Sequence, residues 1–280
     1  MVNVVKRLSV KRSVDWFIGD GQAQYGLRAP KAYEQQLIYP QQTFKSRILS
    51  KFVEVSPCEQ FVDIGVNIGQ TLVEVLSLYP EFEYHGFEPS VEALCCAKEV
   101  AIANGFLLSF YPWACASEAE PQNFFAESNV DSSATIISAI RPDTYINIPA
   151  QPVAAFPLDQ VFFHKAKHGF FMKIDVEGGE NEVLMGAQKL LMPRRPLIMC
   201  EVLNAHRETE VAMNNLRKEK LERLLADANY QIQRIHLNPR DREEFLGLKP
   251  IDSFPRDLLW RDSPHQCDYI FIPREISLRS

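Results

Sequence analysis

The stretch Phe61-Val62-Asp63-Ile64-Gly65-Val66-Asn67-Ile68-Gly69 constrains this chain more than any other. An apolar run carrying one acid turns on two glycines, and Gln70 to Tyr79 follows with Leu72, Val73, Val75 and Leu76 at helical spacing. A strand buried on both faces reads as such a run, and a strand-glycine-helix junction presents backbone N–H groups at the carboxyl edge of a parallel sheet. Open α/β sheets bind their ligands at that edge.

Two ligands fit a junction of this kind, and spacing separates them. A dinucleotide fingerprint reads Gly-x-Gly-x-x-Gly, but Asn67 stands at its second glycine and Gln70 at its third. That disfavours a nicotinamide oxidoreductase, the alternative enzyme class for such a sheet. The remaining pattern is Asp-x-Gly-x-x-x-Gly, with Glu88 ending the next apolar strand. It resembles the S-adenosylmethionine site of class I methyltransferases, in which the glycine loop lies beside the methionine part of the cofactor and the second-strand acid takes the ribose hydroxyls.

The rest of the chain reads as service to that sheet. With 280 residues and 46% hydrophobic content, one α/β domain with additions is expected over residues 51–280. A net charge of −6 argues against nucleic acid, which requires a basic face, and no apolar stretch is long enough for a bilayer span. A soluble cytoplasmic protein is the expectation. The six cysteines form no C-x-x-C pair, so buried thiols in a reducing compartment are expected and no metal site.

Residues 1–50 stand outside the sheet as an N-terminal extension. Lys6, Arg7, Lys11 and Arg12 interleave with Val5, Leu8 and Val10, which reads as a solvated basic helix. The sharper reading of this extension, with Trp16 and Phe17, is a cap over the site or a homodimer contact. A helix from Thr43 to Val55 follows, stopped by Pro57.

Strands are expected at Tyr84 to Glu88 and Leu107 to Trp113, flanking a helix capped by Ser90 and stopped at Gly105. Residues 114–157 break the rhythm with Ser- and Pro-rich sequence and short candidate strands at 122–126, 134–138 and 151–156, an insertion over the ligand face. A helix at 158–167 leads to the fourth strand, Phe170 to Asp175, which also ends in an acid. A helix from Glu180 to Leu191, a fifth strand at 197–203, a helix at 214–228 and a sixth strand at 230–235 follow. A long loop then leads to the seventh strand at 267–272.

These segments carry a narrower resemblance. FVDIGVNIGQ, GFEPS, Pro157-Leu158-Asp159, KIDVEGGENEVLMGA, PLIMCEV and DYIFI are similar to the FkbM family of methyltransferases over residues 58–273. Departures are Val66, Gly179 and Asn181, and none removes a functional group. The resemblance implies a seven-stranded, mostly parallel sheet with helices on both faces and the last strand antiparallel. It implies methyl transfer from S-adenosyl-L-methionine to a hydroxyl oxygen of a small molecule such as a sugar or polyketide, although some relatives methylate carboxylates. An inactive binding protein on the same fold is the third class, disfavoured by intact Asp63, Glu88 and Asp175.

Asp63, Gly65, Asn67, Gly69, Glu88, Ala114 and Asp175 are the expected cofactor residues. Asp175, Glu201 and His206, which follow the fourth and fifth strands at one sheet edge, are the expected acceptor-side groups, with His206 best matched to taking a proton near neutrality. Glu177 has a plain alternative, since an acid near a helix N-terminus is stabilised by the helix dipole alone.

Overall fold

The strand that enters the glycine turn, Gln60–Ile64, lies inside an eight-stranded sheet, and all five of its residues are buried. The structure, a computed structural model, describes residues 5–8, 13–18, 25–30, 43–106, 108–128, 130–137, 147–238, 240–262 and 267–278. Within the extension, β1 (Val5–Leu8), β2 (Ser13–Ile18) and β3 (Tyr25–Pro30) pair antiparallel in a sheet of their own. This corrects the basic helix expected there. Val14, Trp16, Phe17 and Ile18 are β-branched and aromatic residues of high strand propensity, and that preference prevails over the charge pattern.

The main sheet takes its strands from β4 (Gln60–Ile64), β5 (Glu83–Phe87), β6 (Leu108–Tyr111), β11 (Phe171–Ile174), β12 (Leu197–Glu201), β13 (Tyr230–Asn238), β14 (Asp241–Ile251) and β15 (Asp268–Pro273). Their order is β14-β13-β15-β12-β11-β4-β5-β6. Neighbours from β6 to β12 are parallel, and β15 is antiparallel to both β12 and β13. Where seven strands and a closing loop were expected, β14 adds an eighth, antiparallel to β13. Gly247 and Pro250 interrupt its pattern, which a strand on the sheet edge tolerates because one of its sides needs no partner.

Alternation along the central strands divides the core. Val62, Ile64, Met172, Ile174, Ile198 and Cys200 face one cluster with Leu184, Leu190, Leu221 and Leu225. Phe61, Phe171, Leu197 and Met199 face the other, with Phe44, Ile48, Leu49 and Phe52 of the helix Phe44–Val55 and Leu72 and Leu76 of the helix Gln70–Leu78. Each such side chain gains about 1.5–3 kcal/mol on leaving water, which is what holds the helix Phe44–Val55 onto the sheet. By the same parity Asp63, Lys173, Asp175 and Glu201 belong to the face that this helix covers.

The caps fall where the sequence placed them. The Ser90 side chain accepts from Ala93 N, and Gly105 closes the helix Val91–Asn104 in the left-handed region. Two helices differ from expectation. The segment at 158–167 is helical only over Leu158–Val161, and the helix from Glu180 divides into Glu180–Met185 and Gln188–Arg194. The division sits at Gly186, where an added Cβ would stand 2.1 Å from the Ala116 carbonyl oxygen.

The insertion is built from short pairs. β7 (Ala114–Cys115) runs parallel to β10 (Ala155–Phe156), so its two ends lie side by side, and β8 (Gln122–Phe124) pairs antiparallel with β9 (Gln151–Val153). The candidate strand at 134–138 appears only as a Phe125–Thr135 bridge, and residue 138 lies outside the described residues. All six cysteines are free thiols. Among the described residues no helix is long and apolar enough to cross a membrane.

Candidate functional site

The glycine turn works because two strand ends nearly touch. Asp175 N donates to Ile64 O at 3.0 Å, and Gly65, at φ +90°, passes so close that a Cβ would stand 1.9 Å from the Asp175 carbonyl oxygen. Only glycine fits this backbone and this gap. Gly65→Ala should therefore lower stability by about 3 kcal/mol through backbone strain and the clash between β4 and β11. Thermal melts followed by circular dichroism check this, and a variant that melts like the wild type would show that the strands separate without cost.

Asn67 also lies in the left-handed region, at φ +50°, and its side-chain Oδ1 accepts from Ile68 N at 2.6 Å. Its own backbone N–H donates to Glu88 Oε2 at 2.9 Å, while Ser90 N donates to Glu88 Oε1 at 2.8 Å. Glu88 thus accepts one backbone bond on each oxygen, from the turn on Oε2 and from Ser90 on Oε1, and each oxygen keeps a further lone pair. Burial pushes its carboxyl up to about 7, against the pull of the two N–H groups. Asn67 Nδ2 reaches across to Asp131 O at 3.3 Å, which ties the insertion to the turn.

A cavity of about 220 Å³ opens over these groups. Gly65, Asn67, Glu88, Ala114, Asp175 and Glu201 line it, and Phe87, Trp113, Phe124 and Ile136 give it apolar walls. Asp131, Ser132 and Thr135 bring the insertion into its lining. Three of the expected residues stand elsewhere. Asp63 is fully buried beneath the turn, accepting from the Tyr84 hydroxyl and from Lys173 Nζ at 3.3 Å. Gly69 begins the helix Gln70–Leu78 against Ala97. His206 is absent from the lining: its ring stacks on Trp260 at 5.4 Å, because Ala205 bridges to Leu259 and draws the chain aside. The Ala114 N–H is also taken, donating to Ala154 O at 2.9 Å.

The end of the cavity nearest β11 and β12 is an alternation of charges. Lys173, a lysine inside an apolar strand, is 4% exposed and places Nζ 3.2 Å from Asp175 Oδ2 and 3.2 Å from Gly65 O as well as on Asp63. Burial works against its charge, but the Asp175 and Asp63 carboxylates hold it ionised. Lys45, from the helix Phe44–Val55, lies 3.9 Å from Asp175 Oδ2. Burial alone would raise the Asp175 carboxyl, yet Lys173 and Lys45 hold it below the usual carboxylate range. Glu201, hydrogen-bonded to Asp175, is driven the other way by burial and by the Asp175 charge. The two carboxyls are therefore pushed apart, Asp175 down and Glu201 up.

Asp175, Glu177 and Glu201 bring one carboxylate oxygen each within 4.8 Å of one another, a spacing that a divalent cation could bridge. Neither lysine figured in the sequence reading. Lys173 carried a signal, since an ammonium in a strand buried on both faces demands a carboxylate beside it. Lys45 carried none, because its place depends on how the helix lies across the sheet.

A family model described as the methyltransferase FkbM domain matches residues 63–232, more than half of the chain. No curated protein matches the sequence. Among solved structures, a methyltransferase FkbM from Methylobacillus flagellatus KT is 16% identical, with a TM-score of 0.44 over 76% of this chain and 43% of that one. The present chain thus spans less than half the length of that relative. Aeropyrum pernix fibrillarin, in complex with natively bound S-adenosyl-L-methionine, is 13% identical with a TM-score of 0.42, covering 97% of this chain and 100% of that one. A SAM-dependent methyltransferase from Agrobacterium tumefaciens is 8% identical with a TM-score of 0.42, covering 96% and 72%.

Proposed function

The chain belongs to the FkbM methyltransferase family, and from that premise we propose that it transfers the methyl group of S-adenosyl-L-methionine to a hydroxyl oxygen of a small molecule. The observation that carries this reading is the single cavity shared by a glycine turn, the buried Glu88 carboxylate and the Asp175–Glu201 pair.

The residues present fit the cofactor. Gly65 leaves the backbone bare beside the cavity, and both Glu88 oxygens retain lone pairs for a diol such as the ribose. Phe87, Trp113 and Ile136 offer an apolar wall for a purine. When bound, the cofactor supplies an electrophilic methyl on a sulfonium. The protein's part is to orient the acceptor hydroxyl in line with that methyl and to take its proton. Asp175 is placed for both. A carboxylate held ionised by two lysines is a weak base, but the hydroxyl proton becomes strongly acidic as the oxygen gains its methyl, so a weak base suffices. Glu201, whose carboxyl burial and the Asp175 charge push up, shares a hydrogen bond with Asp175 and keeps it turned toward the cavity.

Incubating the purified protein with S-adenosyl-L-methionine and a cell extract should add one methyl to a hydroxyl-bearing metabolite, read by mass spectrometry. A protein that does not bind the cofactor in calorimetry would overturn the proposal.

The same reading gives the insertion at 114–157 the choice of acceptor, because Asp131, Ser132 and Thr135 line the same cavity as Glu88 and the turn. Exchanging residues 122–153 for the corresponding segment of another family member should change which acceptors turn over, and because Ile136 and the Asp131 bond to Asn67 leave with the segment, cofactor affinity should fall as well. Unchanged acceptor preference would place specificity outside the insertion.

A further inference from the structure

Lys45 stands outside the residues matched by the family model, yet its side chain lines the cavity. Its position is fixed from the sequence upward. Thr43 caps the helix by accepting from Ser46 N and donates its own hydroxyl to Glu74, while Phe44 and Ile48 anchor the helix in the core. The first turn of the helix Phe44–Val55 is thereby pinned over the ends of β4 and β11. The two lysines at Asp175 differ in what they have left to give. Lys173 is enclosed, and Asp63, Gly65 O and Asp175 occupy its ammonium. The Lys45 side chain is 32% exposed and, among the described residues, makes no hydrogen bond: its ammonium has the 3.9 Å ion pair with Asp175 and lies 5.9 Å from the centre of the Phe44 ring. An ammonium has three donors, so Lys45 faces the cavity with donors to spare beside a carboxylate that accepts.

A donor and an acceptor side by side match a hydroxyl, which accepts one hydrogen bond, donates another and still has a lone pair for attack. They mismatch a neutral amine, whose one lone pair would be tied up by the ammonium. We propose that Lys45 is an acceptor-binding residue, donating a hydrogen bond to the acceptor oxygen while Asp175 accepts the hydroxyl proton, so that the pair selects oxygen over amine nucleophiles. This rests on the methyl-transfer reading above. In the step itself the O–H bond breaks with its proton passing to Asp175. The acceptor oxygen bonds to the methyl carbon as the carbon–sulfur bond breaks, and that electron pair stays on sulfur, leaving a neutral thioether. Lys45 remains an ammonium throughout.

The test needs no acceptor. Two cofactor analogues are titrated by calorimetry: S-adenosylhomocysteine, which lacks the methyl, and sinefungin, which carries a charged amine where the methyl and sulfonium stand. If Lys45 sits at the reacting centre, its charge opposes the amine, and Lys45→Met should favour sinefungin over S-adenosylhomocysteine by roughly 10-fold relative to the wild type. Lys45→Arg keeps the charge and should keep the wild-type ratio. An unchanged ratio in Lys45→Met, with both analogues still bound, would overturn the proposal, and Lys45→Gln gives the same comparison where Lys45→Met does not fold. A wild-type protein that binds neither analogue would instead refute the cofactor reading, so the two failures are distinct.

Discussion

Calorimetric titration with S-adenosyl-L-methionine is expected to find Glu88→Gln roughly 10- to 100-fold weaker than the wild type, since hydrogen bonds to a charged group are worth about 1.5–3 kcal/mol. The amide presents one acceptor where the carboxylate presents two. pH gives the assignment a second signature. Burial raises the folded-state carboxyl to about 7 from an ordinary value of 4.5, so the protonated form favours folding. Its contribution to stability is full below that ordinary value and is lost as pH rises through about 7. Ligand binding runs the opposite way, because two hydroxyl donors need the ionised carboxylate. Affinity in the wild type should therefore increase as pH rises through about 7, and Glu88→Gln should flatten that dependence. A folded variant with wild-type affinity would remove Glu88 from the cofactor contact.

The features legible in the sequence are those that local chemistry dictates. The buried runs at 60–64 and 171–174, the Ser90 cap and the Gly105 stop each depend on a few neighbouring residues, and each stands where it was expected. Features set by contacts far along the chain were not legible. β14 was read as a loop because Gly247 and Pro250 obscure its alternation, and only its edge position makes them tolerable. His206 was placed at the acceptor by counting from the end of β12, but the Ala205–Leu259 bridge joins segments more than fifty residues apart and turns the ring onto Trp260. The Asp63 acid was found, yet its partner Lys173 shows that it supports the turn from below. Strand parity explains why the Asp175 side of the cavity is so charged. Once Phe61 and Phe171 are known to face the helix Phe44–Val55, residues 63, 173 and 175 follow onto that face, and Lys45 meets them there.

That geometry also decides which carboxyl the chemistry depends on. Asp175→Asn should lower turnover by about 10²–10⁴-fold, the range typical of losing a general base, while S-adenosyl-L-methionine affinity changes far less. The asparagine keeps the size and the hydrogen bond to Lys173, so the loss is of charge and basicity rather than of packing. Glu201→Gln is the matched control. Burial and the Asp175 charge raise the Glu201 carboxyl, the direction a neutral amide mimics, and the amide N–H can keep the hydrogen bond to Asp175, so its effect should be much the smaller. His206→Ala should leave the shape of the pH–rate profile intact, since its ring lies against Trp260 outside the cavity lining. Single-turnover rates and binding constants measured side by side separate chemistry from cofactor affinity. A Glu201→Gln loss larger than that of Asp175→Asn would transfer the base to Glu201, and an Asp175→Asn enzyme of normal rate would remove Asp175 from the reaction.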